Sequence, residues 1–182
     1  MKNKDKFSIL RATTLFLIAA VLLQACDTEI PDVDTEPPTF RFQIQGDGFD
    51  QTFDEDTDFD SFQLNLREDA RYNITFSGAD LGGVKHIQWQ YATDYVEFET
   101  SIPSPWTTRS SGLSTSINWY GNRSNPQTGM ILTASIRPNG ENISHAFNFM
   151  VKDFGGASAM ENTLFKSLNI YSGNHNTEII RF

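Results

Sequence analysis

Short runs in which apolar and polar residues alternate dominate the chain from residue 39 onwards. At 39–45, Phe40, Phe42 and Ile44 alternate with polar neighbours, the period of two that is typical of a half-buried β-strand. The same period recurs at 62–66, 72–76, 84–91, 113–119, 130–136, 145–151 and 164–171, with shorter candidates at 95–99 and 178–182. Turn-forming Gly, Pro and Asn residues separate these runs, and the helical period of three to four residues does not occur.

These runs predict an all-β domain. Many short strands joined by turns are typical of an antiparallel β-sandwich, and we expect about 7–9 strands within residues 39–171. Residues 172–182 would form a C-terminal tail or an additional edge strand. A barrel or a jelly roll is the alternative arrangement, because a strand pattern does not determine topology.

The first 25 residues have the pattern of a bacterial export signal. Basic residues precede an uninterrupted apolar run from Leu15 to Leu23. This run is too short to span a membrane, which takes about 20 residues. It ends at Leu22-Leu23-Gln24-Ala25-Cys26, which resembles the lipobox of bacterial lipoproteins. The resemblance implies a signal peptide over 1–25, cleavage before Cys26 and lipidation of that cysteine. The alternative is an ordinary secretory signal that precedes an incidental cysteine.

Lipidation would make the membrane a partner of the protein. We expect export and anchoring in the cell envelope, with the outer membrane preferred. Asp27, directly after the cysteine, resembles a residue that retains some lipoproteins at the inner membrane, a rule that varies by lineage. Residues 26–38 are acidic, contain three prolines and lack periodicity, which predicts a disordered, extended tether. Fully extended, this tether would hold the domain roughly 40 Å from the lipid.

Charge and cysteine content exclude several classes of function. Removal of the signal peptide changes the formal net charge from −9 to −12, and residues 27–60 hold twelve acids and one arginine. A surface of this sign disfavours nucleic acid as a partner. A single cysteine forms no internal disulfide, and neither a zinc-type Cys/His cluster nor a nucleophile elbow is present. We therefore predict that the protein is not an enzyme and needs no cofactor, with calcium as the one candidate ion.

Three segments resemble landmarks of bacterial immunoglobulin-like domains on exported proteins. They are the entry at 34–39, the turn at 79–84 followed by Ile87 and Trp89, and the strand and turn at 147–155. The resemblance implies an immunoglobulin-like sandwich with a binding or spacing role, and it transfers no active site. Trp89 would then belong to the core. The acidic stretch after the first strand and the long region between the second and third landmarks depart from a seven-strand version.

The acidic stretch supplies the calcium candidate, formed by Asp54, Asp56, Asp58 and Asp60. In an extended strand this spacing would place four carboxylates on one face, and calcium takes six to eight oxygen ligands. The stretch is no EF-hand, because the sixth position counted from Asp54 is Phe59 rather than glycine. We favour the alternative, a solvated acidic loop.

Aromatic residues beside predicted loops supply a candidate ligand site. Trp106, Trp119 and Tyr120 could present rings on which sugars stack, with Asn118 nearby to bind hydroxyl groups. The alternative is ordinary packing in the core. We therefore predict a lipid-anchored envelope protein whose sandwich is a non-enzymatic binding or accessory module for a protein or a glycan. The second prediction is a carbohydrate-binding lipoprotein of a polysaccharide-uptake system, and the third is a glycoside hydrolase whose paired acids come from distant strands.

Overall fold

The computed structural model describes residues 28–156 and 160–182, which consist of β-strands joined by turns. The predicted signal peptide and Cys26 lie outside the described residues. Two 3₁₀ helices, Phe59–Ser61 and Thr93–Tyr95, are each one turn long. The strands are β1 (Thr39–Gly46), β2 (Phe49–Asp54), β3 (Phe62–Arg67), β4 (Tyr72–Ala79), β5 (Val84–Ala92), β6 (Val96–Phe98), β7 (Thr107–Ser111), β8 (Ser114–Tyr120), β9 (Gly129–Pro138), β10 (Ile143–Asp153), β11 (Thr163–Gly173) and β12 (Glu178–Arg181).

The strands form two sheets that pack face to face, so the predicted all-β sandwich is confirmed. One sheet has the order β2-β1-β4-β9-β6, and the other has the order β12-β3-β11-β10-β5-β8-β7. Pairing is antiparallel, except that β11 and β3 run parallel. Within these sheets, β1-β4-β9-β6 and β11-β10-β5 follow the ABED and GFC arrangement of an immunoglobulin sandwich. The other strands extend the sheets at their edges.

Twelve strands in the described residues exceed the predicted number of about 7–9. The strands that the alternation missed are β2 and β7, and both lie at the edge of a sheet. Every residue of β7 is exposed, so this strand has no apolar face that a sequence pattern could reveal. Its extended conformation depends on backbone pairing with β8, which only the tertiary structure displays.

Aromatic side chains fill the space between the sheets. Phe42 on β1 lies 4.7 Å from Phe149 and 5.9 Å from Trp89, measured between ring centroids. Trp89 is fully buried, as its predicted core position requires. Aromatic pairs at these separations add about 0.5–1.5 kcal/mol each to the stabilisation that comes from area burial. The core thus holds the sandwich together without a disulfide.

The two ends of the sandwich carry different loops. At the end where the chain enters β1, which we call the entry end, lie the loops 80–83 and 121–128 and the described parts, 154–156 and 160–162, of the connection between β10 and β11 (the loop 154–162). Backbone hydrogen bonds connect these loops, from Val84 N to Gln127 O at 2.9 Å and from Phe154 N to Gly83 O at 3.2 Å. The opposite end, the distal end, carries the turns 47–48, 112–113 and 139–142. In the described part of the chain, no helix is long and apolar enough to cross a membrane.

Residues 31–36, assigned to the tether by the sequence analysis, contact the sandwich at the entry end. Asn162 Nδ2 donates to the backbone oxygen of Asp34 at 3.2 Å. The Asp34 carboxylate in turn accepts from the backbone N–H of Glu36 at 3.1 Å. The structure therefore differs from the prediction of a disordered tether over these residues. The reason lies in partners on the loop 154–162, more than a hundred residues away in sequence.

Candidate functional site

The structure separates the three aromatic residues that were predicted to bind ligand. Trp106 and Trp119 are core residues, 5% and 4% exposed, whereas Tyr120 is 61% exposed. The Trp106 indole N–H donates to the backbone oxygen of Ile131 at 3.1 Å, which satisfies its polar atom inside the protein. The prediction that both tryptophans present a ring to ligand is therefore wrong. Adjacent residues of β8 point to opposite faces of the sheet, so Trp119 faces inward and Tyr120 faces outward.

Tyr120 lies on the outer face of the seven-stranded sheet, where polar side chains form rows across the strands. Its ring stacks on His86 of β5, with centroids 4.4 Å apart and planes inclined by 13°. Pairing between strands defines two further rows beside this stack. One contains Thr107, Asn118, Gln88, Met150 and Phe165, and the other contains Arg109, Ser116, Gln90, Asn148 and Ser167.

Hydrogen bonds hold several of these side chains in place. Asn118 is almost fully buried beneath them, and its Oδ1 accepts from Gln88 Nε2 at 2.9 Å and lies 3.0 Å from His86 Nε2. Its Nδ2 donates to Ser116 Oγ at 3.0 Å. Gln90 Nε2 donates to Ser114 Oγ at 3.2 Å. The amide groups of the central strands are therefore ordered before any ligand arrives, which lowers the entropic cost of binding.

The centre of this outer face carries no carboxylate in the rows described above. Burial lowers the pKa of His86, and the charges of Lys152 and Lys85 lower it further, although its hydrogen bond to Asn118 opposes the change. The imidazole is therefore neutral at neutral pH. Arg109 at the edge strand is the one cation of the second row. Amide and hydroxyl groups beside an exposed ring can bind an uncharged polar ligand such as a glycan, or a polar protein surface.

The structure does not bring together the four aspartates of the calcium candidate. Asp54 accepts from the Thr57 hydroxyl at 2.9 Å, and Asp58 accepts from the backbone N–H of Asp60 at 3.3 Å. These two carboxylates thus each stabilise a local turn. A calcium site at Asp54, Asp56, Asp58 and Asp60 stays a prediction from the sequence alone.

A different group of three carboxylates converges at the entry end. Oxygen atoms of Asp34, Asp80 and Asp153 lie within 4.8 Å of one another, the only such group in the described residues. The pKa of Asp80 is raised to about 6, chiefly by burial and also by the charges of Asp34 and Asp153, against hydrogen bonds from the backbone N–H groups of Gly82 and Gly83. A proton on Asp80 therefore relieves the repulsion between these carboxylates only as pH falls through about 6.

Each carboxylate of this group also orders a loop. Asp153 is fully buried and accepts from both the backbone N–H and the side-chain amide of Asn162 at 2.7 Å. Asp80 accepts from Gly82 N at 2.8 Å. These hydrogen bonds engage the carboxylates within the protein. Their arrangement accounts for loop structure and gives the hydrolase prediction no support.

Sequence reasoning identified part of the outer face. The alternation at 84–91 assigned His86, Gln88 and Gln90 to a polar face, and Asn118 was named as a hydroxyl-binding candidate. The sequence pattern could not place Asn148 or Ser167 beside these residues, because their positions depend on the pairing of β5 with β10 and of β10 with β11. The carboxylate group has no sequence signal, since its members come from three distant loops.

Comparisons with known proteins reveal no family. No protein-family model matches the chain, and no curated protein matches it. Among solved structures, the chain is similar to a cohesin module from a family 33 glycoside hydrolase of Clostridium perfringens ATCC13124. The TM-score is 0.38 with 8% identity, over 62% of this chain and 98% of the module. It is also similar to a non-cellulosomal cohesin of the archaeon Archaeoglobus fulgidus, with a TM-score of 0.34 and 12% identity, over 62% of this chain and 89% of that one.

Proposed function

We propose that this protein is an exported lipoprotein, anchored in the outer membrane through Cys26, whose sandwich is a non-enzymatic binding module. The observation that carries the binding role is the ordered outer face of the seven-stranded sheet, whose central amide and hydroxyl groups carry no charge. Asn118 holds Gln88 and His86 in place on that face. The lipid anchor is supported by the lipobox resemblance at Leu22–Cys26 and by the absence of any other cysteine from the chain.

The distribution of charge favours an uncharged ligand for this face. Residues 27–60 contribute −11 of the net charge of −12 on the mature chain, and they lie outside the central rows. Gln88, Gln90 and Ser116 offer donors and acceptors without charge. Arg109 is confined to the edge strand, so selectivity at the centre of the face would come from contact hydrogen bonds rather than from long-range steering.

Tyr120 favours a glycan as the ligand, which makes carbohydrate binding for a polysaccharide-uptake system the second candidate. One face of its ring is occupied by His86, and the residue nevertheless remains 61% exposed. An exposed ring beside fixed amides is the combination that sugars require, because their apolar faces stack and their hydroxyls form hydrogen bonds. A protein partner of the envelope would use the same face through backbone and polar side chains.

We expect the Cys26→Ser variant to leave the membrane fraction when it is expressed in a bacterium that processes lipoproteins. Serine cannot accept the thioether-linked lipid, whereas the sandwich contains nothing that depends on Cys26. Fractionation followed by immunoblotting measures the distribution, and metabolic labelling with a fatty acid reports acylation directly. Continued membrane association of the unacylated variant would contradict the anchor.

We expect Tyr120→Ala to weaken binding to any glycan that the wild-type protein retains on an array of neutral polysaccharides by at least tenfold. Loss of a stacking ring removes on the order of 1–2 kcal/mol, close to a tenfold change. Tyr120→Phe keeps the ring and is the matched control, for which we expect affinity within about threefold of wild type. Equal binding by the alanine variant, or no binding of wild type to the array, would count against the glycan.

A further inference from the structure

We propose that the entry end of the sandwich rests on the membrane that carries the lipid, with Val33, Leu81 and Met160 in contact with zwitterionic lipid. This inference rests on the proposed anchor at Cys26. It concerns a surface other than the outer face of the seven-stranded sheet.

The N-terminal segment is packed against the entry end from Pro31 onwards. A Cβ atom added to Gly156 would lie 2.9 Å from Asp34 N and 3.0 Å from the backbone oxygen of Pro31. A Cβ atom on Gly82 would lie 2.8 Å from both Pro31 Cδ and Asp34 Oδ2. These two glycines are therefore in direct contact with the segment. Together with the hydrogen bond from Asn162 to Asp34, they dock the segment between the loops 80–83 and 154–162.

Docking leaves little chain between the lipid and the domain. Only residues 27–30 separate Cys26 from Pro31. Fully extended, the five residue steps from Cys26 to Pro31 span about 17 Å, compared with roughly 40 Å for the tether predicted from sequence. The lipid-modified residue lies in the headgroup region, so the entry end cannot be far from the membrane surface.

The same end exposes apolar side chains. Leu81, Met160 and Val33 are 91%, 77% and 72% exposed, and they lie on the three segments that the docking contacts bring together. A groove of about 600 Å³ beside them has Pro31, Pro37 and Leu81 on its walls. Exposure of such side chains to water is unfavourable. Contact with lipid would stabilise the protein by about 25 cal/mol for each Å² of apolar surface that it removes from water. A membrane held within about 17 Å is the apolar partner always present at this end.

Charge at the entry end determines the kind of lipid. Acids outnumber free cations there. The segments that carry the apolar side chains also carry Asp32, Asp34, Glu36 and Asp80. Lys85 and Lys152 are both paired with Glu161, and the exposed Arg123 donates to backbone oxygens of Phe154 and Gly156. Anionic headgroups would repel such a surface, whereas phosphatidylcholine and phosphatidylethanolamine carry no net charge. The structure therefore favours a leaflet of zwitterionic lipid as the partner of the entry end.

Single cysteine labels can test this orientation, because Cys26 is the only native cysteine and lipidation blocks it. Leu81→Cys places a thiol at the entry end, and Leu113→Cys places one at the distal end in an equally open position, 79% exposed. The full lipidated protein, labelled with a polarity-sensitive fluorophore, is reconstituted into phosphatidylcholine vesicles. We expect a blue-shifted emission and quenching by spin-labelled lipid at position 81, with neither effect at position 113.

The outcomes separate this inference from the proposed anchor. Failure of the protein to float with vesicles would refute the anchor. Flotation with the same unshifted emission at positions 81 and 113 would refute the orientation and leave the anchor intact. Vesicles containing phosphatidylglycerol should reduce the shift at position 81, and an equal or larger shift there would overturn the choice of zwitterionic lipid. Thermal melts of both variants should match wild type, since neither leucine is packed in the core.

Discussion

Replacement of Trp119 by alanine is expected to lower the free energy of unfolding by about 3–5 kcal/mol. The residue is 4% exposed and lies opposite Ile87 in the pairing of β8 with β5. Removal of its indole ring leaves a cavity that the surrounding sheet cannot close, so both transfer and packing free energy are lost. Urea denaturation followed by tryptophan fluorescence and circular dichroism measures the change.

Tyr120→Ala is the matched control for this prediction, because the two residues are neighbours on the same strand with opposite orientations. Its exposed ring contributes the stack on His86, for which we expect a cost of about 0.5–1 kcal/mol. A variant of Trp119 that retains wild-type stability would contradict the core position of this tryptophan. It would also restore Trp119 as a ligand-binding candidate. If Trp119→Ala is destabilised as expected, a loss of glycan binding in this variant would report unfolding rather than a lost contact with the ligand.

Asp80→Asn is expected to raise the free energy of unfolding by about 1–2 kcal/mol at pH 7.5. The side-chain oxygen of asparagine can still accept from Gly82 N, as Asp80 does at 2.8 Å. The substitution removes a negative charge that lies beside Asp34 and Asp153. A shift of the pKa from 3.8 to about 6 corresponds to up to about 3 kcal/mol. We expect a smaller change in the free energy of unfolding, because the Asp80 side chain is partly exposed and solvent screens the repulsion.

The sign of the pH dependence follows from the raised pKa of Asp80. The folded protein binds a proton at this carboxyl more tightly than the unfolded chain, so the stabilising contribution is fully present below pH 3.8. It is lost as pH rises through about 6. The difference in stability between Asp80→Asn and wild type should therefore be near zero at pH 4 or below. It should increase up to about pH 6–7, and then remain constant.

His145 contributes to the pH dependence of stability with the opposite sign, over an overlapping range of pH. Burial lowers its pKa from 6.5 to about 4, so its neutral form is favoured in the folded state. Stability is lost as pH falls from 6.5 towards 4. Because this loss is common to wild type and to Asp80→Asn, it cancels in their difference. Thermal or urea melts of both proteins between pH 3.5 and 8 isolate the Asp80 contribution.

Calcium provides a check on the interpretation of this carboxylate group. If Asp34, Asp80 and Asp153 act only as loop ties, millimolar calcium should leave the melting temperature of both proteins unchanged at pH 7.5. An increase confined to wild type would show that a cation binds at the Asp80 carboxylate. An equal increase in both proteins would direct attention to Asp54, Asp56, Asp58 and Asp60. No difference in stability between the two proteins at any pH would contradict the raised pKa.

The two proposals together describe how the protein would stand in the envelope. The strands of the seven-stranded sheet run from the entry end to the distal end. If the entry end rests on the membrane, these strands stand roughly perpendicular to the membrane surface. The outer face with Tyr120 and Gln88 would then point sideways, along the membrane, rather than towards it or away from it. A ligand approaching along the membrane, such as a chain bound by a neighbouring protein, would meet this face first.

The alternation of residues by itself determined the fold class, the buried residues of the central strands and the polar character of the outer face. Phe42, Trp89 and Phe149 are separated in sequence, but each occupies a position of period two that can face only the interior. Local patterns were sufficient there because burial on one face of a strand leaves a direct record in the sequence.

Only the tertiary structure decided the edge strands, the orientation of Trp106 and Trp119, the docked part of the tether and the group of Asp34, Asp80 and Asp153. The backbone pairing of β7 leaves no apolar record, and Trp106 lies outside the alternating runs, so no periodicity indicates its face. Trp119 ends the run 113–119 in phase with Ile117, but only the structure shows that its ring is covered. The tether and the carboxylates depend on loops that are distant in sequence and meet only after the sheets have packed. Their positions follow from long-range packing, which local hydrophobic patterns do not encode.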